Sequence, residues 1–405
     1  MHLRHTTFFS VLPINKVNAM RQMILFTFII VIKASVAKTS LCDRYPESVS
    51  LADRNIEVST ISWDQIKKHT GQFLIIHAES DTVEFIGPKP DHTWYDHIDL
   101  TMFRNIHDKL KLPDVILPLN DRDWPRSSMN VPQGILYSSY CTSENFNDIL
   151  IPKGYYKQYK YNISILNEKA WEGKLNKAWF RCRMNNGIGK GRFSILNEAF
   201  SMLDSTKYLD VGAYPVELDL FVSLSKPYMD MHSTFDLYRY HIVIDGNYNA
   251  WRLQEAFANN VVVMKPLSQE RQWFSRDLKP FVHFIPINIK PAKIPYKEML
   301  SSIISRKIVQ TTNVRRVMKW ASKNPEVTKI ILENAQLFHQ QYLSDDAIAC
   351  YIHALFTKLS SIYKFNVTEK VQKIQNQFLK DIVSNYWENS RQLKPKQSDL
   401  YNIFV

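Results

Sequence analysis

Residues 240–266 read YHIVIDGNYNAWRLQEAFANNVVVMKP: a short apolar run, a turn, a helix-patterned segment and a second apolar run. The two runs, around HIVI and VVVM, are rich in β-branched residues and too short for helices. Between them NAWRLQEAFAN carries apolar residues at helical spacing. A strand, a helix and a strand in immediate succession make a crossover, which sets the two strands parallel. This constrains the fold more than any compositional figure, and the alternation recurs. Strand candidates fall at 73–78, 115–120, 135–140, 178–183, 208–214, 241–246, 261–266 and 281–287, and RFSILNEAFSMLD is a second helix. After residue 296 the chain reads almost entirely as helix. The pattern predicts parallel sheets with helices on both faces, in two α/β units joined near residues 165–177. In such sheets ligands bind in the crevice at the carboxyl ends of the strands.

The 405 residues are 45% hydrophobic, enough for a substantial core and too many for a disordered chain. Lys and Arg (51) exceed Asp and Glu (39), for a formal charge of +12. That excess suits an anionic ligand such as a nucleotide diphosphate, or an anionic surface. No basic block resembles a nucleic-acid arm, so nucleic acid is not an expected partner.

Residues 20–37, MRQMILFTFIIVIKASVA, have the form of a secretory signal. Arg21 precedes an apolar run from Met23 to Ile32, and Ser35 and Ala37 are small residues placed for cleavage after Ala37. The expected segment is 1–37, with Met20 an alternative start and an uncleaved anchor the alternative reading. No later stretch is long and apolar enough to span a bilayer. Cys42, Cys141, Cys182 and Cys350 permit disulfides but have no zinc spacing. Asn162 and Asn366 begin N-glycosylation sequons. Together these predict passage through the secretory pathway.

Three stretches could carry chemistry. In PDVILPLNDRDWP, Asp121 and Asp123 follow a predicted strand. They could act as a base, hold a metal as an Asp-x-Asp pair, or form only a solvated turn. In AWFRCRMNNGIGKGRF, a strand ends in Arg181 and Arg183, and a loop with three glycines leads to Lys190 and Arg192 at a helix start. Glycines admit a phosphate close to the backbone, and cations stabilise its charge, although a solvated basic loop would read the same. In HIVIDGNYNAWRL, Gly246 permits a tight turn after Asp245, and the helix beginning near Asn249 carries Arg252. Asp245 and Arg252 could instead only cap and pair locally.

The segments HIVIDGNYNAWRL, VVVMKP and WFSRDLKPFVHFIPI resemble glycosyltransferase family 90, the family of the Rumi-type protein O-glucosyltransferases, their KDEL-motif relatives and capsule-associated xylosyltransferase-like proteins. AWFRCR, PDVILPLNDRDWP and LSDDAIACYIHAL resemble further family segments, in family order from about 112 to 366. The resemblance implies a GT-B fold, two Rossmann-like domains facing a cleft. Here these would be 38–175 on the acceptor side and 176–345 on the UDP-sugar side, with 346–405 as helices packing back on the first domain. It implies inverting transfer of glucose or xylose from a UDP-sugar to a protein Ser/Thr or glycan hydroxyl, without a metal or other cofactor, in the ER lumen. Asp123 would be the base. Arg183, Arg192, Gly246, Asn247, Tyr248, Asn249, Ala250, Trp251 and Arg252 would bind the donor. The resemblance also implies a Cys42–Cys350 disulfide, and the chain is expected to be a monomer.

The chain departs from the family pattern at Cys182, where the family has glycine, and at the polar turn Asn247-Tyr248-Asn249. Both leave the donor sugar open. The ending YNIFV has no KDEL-like signal, so Golgi residence or secretion stays open beside the ER. Segment 151–177 is short, which leaves the acceptor open. The rival functions are a metal-dependent glycosyltransferase using Asp121-Arg122-Asp123 and a sugar- or nucleotide-binding protein that has lost activity.

Overall fold

The computed structural model describes residues 40–67, 69, 72–87, 100–120, 138–139, 141–142, 146, 148–152, 168–182, 190–201, 205–213, 229, 231–245, 250, 252–268, 271–289, 312–377 and 380. The expected signal segment 1–37 lies outside them, and among them no helix is long and apolar enough to cross a membrane.

The second half forms a five-stranded, fully parallel sheet. Its strands are β4 (Leu175–Cys182), β5 (Leu209–Ala213), β6 (Tyr238–Ile242), β7 (Val262–Pro266) and β8 (Ile285–Ile287), in the order β8-β7-β6-β4-β5. Numbered within the sheet, this is the doubly wound order 2-1-3-4-5, which reverses between β4 and β6. Side chains alternate across the sheet, so successive residues of one strand enter different cores. Phe180, Cys182, Tyr240, Ile242 and Met264 pack with α3 (Lys190–Ser201), α5 (Val314–Lys323) and α6 (Pro325–Phe338). On the opposite face Val243 and Val263 pack with α4 (Arg252–Ala258).

The first half differs from the expectation of a parallel sheet. Its main sheet has three strands, β1 (Phe73–His77), β2 (Thr82–Ile86) and β3 (Val115–Pro118), ordered β2-β1-β3 with both pairings antiparallel; of the two-residue strands beside it, Ser138–Ser139 and Ile149–Leu150 pair parallel. Only residues 78–81 join β1 to β2, far too few for a crossover, so the chain must return beside itself. Asp81 closes that turn in the left-handed region, at φ 54°. The candidate strand at 135–140 shrinks to Ser138–Ser139 among the described residues.

The C-terminal helices do pack back on the first half. Helix α7 (Asp345–Ile362) lies against α1 (Pro46–Arg54), α2 (Leu100–Leu110) and β3. Phe356 stacks on Phe103 with centroids 5.7 Å apart, and the Tyr363 hydroxyl donates to the Ile116 carbonyl at 2.7 Å. A disulfide joins Cys42 to Cys350, as the resemblance implies. One hydrophobic core runs from β1 and β3 through α7 to α4 and the face of the parallel sheet that carries Val243 and Val263.

Candidate active site at the switch of the parallel sheet

The reversal of strand order sets the crevice between the carboxyl ends of β4 and β6. Both cationic stretches singled out in the sequence arrive there. β4 ends at Cys182, and α3 begins at Lys190 after the glycine-containing loop. β6 runs through buried Val243 and Ile244 to Asp245, and α4 begins at Arg252. A methyl group at Gly191 would lie 3.8 Å from the Ile244 side chain and 3.5 Å from that of Ile289, so the start of α3 packs on the chain leaving β6 and β8.

The charges of Arg192 and Arg252 both reach the Cys182 thiol at the end of β4. Burial pushes the Cys182 thiol up to about 11, and the charges of Arg192, Arg252 and Arg181 all act on it in the opposing direction. Burial wins, so Cys182 is a protonated, apolar packing group at neutral pH rather than a nucleophile. The Arg252 guanidinium carbon sits 5.7 Å from the centre of the Phe180 ring, which holds it over the end of β4. Arg252 is the first residue of its helix, not one turn in as the spacing suggests. The delay has a local cause: the Ala250 N–H donates to Asp245 Oδ1 at 2.8 Å, closing the turn before the helix can begin.

Arg181 is not available to a ligand. Buried to 2% exposure, it donates to Asp210 Oδ1 at 2.9 Å and to the Asp210 carbonyl at 2.8 Å. The Tyr238 hydroxyl donates to the other Asp210 oxygen. This arginine–aspartate–tyrosine group ties β4, β5 and β6 together, and its chemistry is structural. His241 is likewise structural. It lies between the rings of Phe235 and Trp179, at 4.8 and 5.0 Å, and burial holds it neutral, with its pKa lowered to about 3.

Sequence reasoning missed Lys265. Its ammonium sits 5.0 Å from the Phe284 ring centre at the carboxyl end of β7 and donates to the Pro266 carbonyl at 2.9 Å. Burial lowers its pKa and the charge of Asp245 opposes that. The signal was present as a lysine closing the apolar run VVVM.

Of the other expected site residues, Ala250 is described and buried, whereas Asp123, Arg183, Gly246, Asn247, Tyr248, Asn249 and Trp251 lie outside the described residues. So does Asn162. Asn366 is exposed, and its Oδ1 accepts the Glu369 N–H at 2.9 Å, capping the helical turn that follows. Among the described residues no group of three or more His, Cys, Asp or Glu is placed to hold a metal, and Asp121 and Asp123 fall outside that search.

A family model described as "Glycosyl transferase family 90" matches residues 98–399. The chain is similar to Protein O-glucosyltransferase 2 of Danio rerio, 28% identical over 279 residues, covering 63% of this chain and 49% of that protein. It is 25% identical over 284 residues to Protein O-glucosyltransferase 3 of Rattus norvegicus, covering 65% and 49%. It is 22% identical over 281 residues to Protein O-glucosyltransferase 1 of Mus musculus, covering 64% and 66%. The chain thus spans about half the length of the first two relatives.

Proposed function

The chain belongs to glycosyl transferase family 90, and from that premise we propose that it moves glucose or xylose from a UDP-sugar to a hydroxyl of a protein or glycan. The observation that carries this reading is that Arg192, in the first turn of α3, and Arg252, at the start of α4 and over the Phe180 ring of β4, are set at the switch point of a parallel sheet. A diphosphate bound there would meet two guanidinium groups and the N-terminus of α3. In the proposed reaction the acceptor oxygen attacks the anomeric carbon on the face opposite UDP, and the configuration inverts. The bond from that carbon to the diphosphate oxygen breaks, and the leaving UDP takes the electron pair. Arg192 and Arg252 would offset that charge without a metal. Asp123 would accept the proton that the hydroxyl loses, which typically contributes roughly 10²–10⁴-fold.

A GT-B arrangement would have the acceptor enter from the first half, where Asp123 follows β3. The Cys42–Cys350 disulfide supports a secretory compartment, since such bonds persist where the environment is oxidising. The deciding experiment measures UDP release and product from UDP-glucose, UDP-xylose and UDP-galactose, each with EDTA present and with and without acceptor. Acceptor-dependent turnover in EDTA is the expected result. Turnover only after added Mn²⁺ would favour the Asp-x-Asp reading, and binding without turnover an inactive binding protein.

A further inference from the structure

The turn Lys279-Pro280-Phe281-Val282-His283 precedes β8, so it lies at the amino end of the parallel sheet, away from the strand ends described above. Phe281 is held in the left-handed region at φ 60°, and its N–H donates to the Phe284 carbonyl at 2.7 Å. That backbone is costly for a bulky residue, yet the ring it displays is 61% exposed. The backbone strain thus falls on a residue whose ring stays largely in water.

The turn rests on two helices. The Phe281 ring meets Trp320 of α5 edge-on at 6.4 Å, and His283 meets Phe338 of α6 at 4.7 Å. Helix α5 carries Arg315, Arg316, Lys319 and Lys323 and no acidic residue. At helical spacing these four fall on one side, away from buried Val314, Met318 and Ala321; Arg316 and Lys323 are exposed there, whereas Arg315 lies near Glu198 and the Lys319 ammonium sits 5.6 Å over the Tyr208 ring. Helix α6 exposes Val327, Ile330 and Leu337 at 42, 56 and 50%, on one line along its surface. Its acids Glu326 and Glu333 alternate with these aliphatics along the same stripe, and the exposed cations Lys279, Arg316 and Lys323 outnumber them on this side of the molecule.

We propose that this surface, the 279–283 turn with the outer faces of α5 and α6, docks on a membrane carrying anionic headgroups. Exposed apolar groups beside a cationic helix face match the two layers of such a surface. The rings and aliphatic groups enter the headgroup–acyl boundary while Arg and Lys meet the phosphates and carboxylates. An acidic protein would use the charges but leave Phe281 and the aliphatic line in water. A second copy of this basic face would repel its mate. Docking here would leave the strand-end crevice open to its own ligands, so the inference is independent of the proposed transferase.

The test is flotation of the purified full chain with vesicles of phosphatidylcholine alone or with a third phosphatidylserine. Binding should require the anionic lipid and fall as salt is raised. Each lost cation lowers partitioning about fivefold, so Arg316→Gln with Lys323→Gln should lose roughly 30-fold. Phe281→Asn, which tolerates the left-handed backbone, should also lose binding, and unfolding curves should show neither variant destabilised. UDP affinity should be equal in all three proteins. Equal flotation of wild type and both variants would overturn the proposal. So would binding to polyglutamate but not to vesicles, or a dimer by light scattering that the same substitutions dissolve.

Discussion

Cys42 and Cys350 are 308 residues apart in sequence, yet a disulfide sets their Cα atoms 5.2 Å apart. The bond pins the start of the described chain to α7, the helix that also packs on α2 and β3. In the chain-entropy model so long a closed loop is worth about 6 kcal/mol, with measured values often lower. Reduction, or Cys42→Ser with Cys350→Ser, should lower the unfolding free energy by that order, read as a lower denaturant midpoint. Peptide mapping without reductant should return one cross-linked peptide, and finding both thiols alkylated would contradict the bond.

Asp123→Asn should abolish transfer and leave UDP affinity nearly unchanged, because an amide cannot take the hydroxyl proton. Asp121→Asn should do much less. More than a tenth of wild-type turnover in the first variant would remove Asp123 as the base, and equal losses at both positions would point to metal binding.

Arg192→Ala and Arg252→Ala should each weaken UDP binding by on the order of 1.5–3 kcal/mol, the worth of a charge-assisted contact to phosphate. Arg181→Ala should behave differently. It leaves Asp210 without its buried partner, so the loss, on the order of 3 kcal/mol, should fall on stability. Calorimetry on folded protein separates the two: unchanged UDP affinity in both of the first two variants would refute the donor site.

His241 makes stability pH-dependent. Burial lowers its pKa to about 3 from an ordinary 6.5, so between those values the unfolded chain binds a proton that the folded chain refuses. Stability therefore falls as pH drops from about 6.5 toward 3, by about 2 kcal/mol at pH 5. His241→Gln should flatten the difference in urea midpoint between pH 7 and pH 5. An unchanged difference would place the acid sensitivity elsewhere.

The parallel sheet was legible because its strands are buried on both faces and read as continuous apolar runs, as in VVVM and HIVI. β2 was not, since TVEFI lies half-exposed at a sheet edge and carries Glu84 among its apolar residues. The approach of Arg192 and Arg252 to one end of the sheet followed from two glycine-containing turns, each between a strand and a helix. The division of labour between Arg181 and Arg192 did not follow, because both stand in the same basic stretch with similar neighbours.

By itself the sequence determined the strand–helix–strand order and the cationic character of the turns, since both are set by residues a few positions apart. Only the tertiary structure decided what each group faces. It carried Asp210 and Tyr238 across two strands to hold Arg181, turned the first sheet antiparallel through a four-residue link, and left Phe281 exposed beside Trp320. The reason is physical: periodicity records which side of an element is apolar. A buried charge, by contrast, is settled by whichever partner the fold brings within about 3 Å, and sequence spacing does not encode that distance.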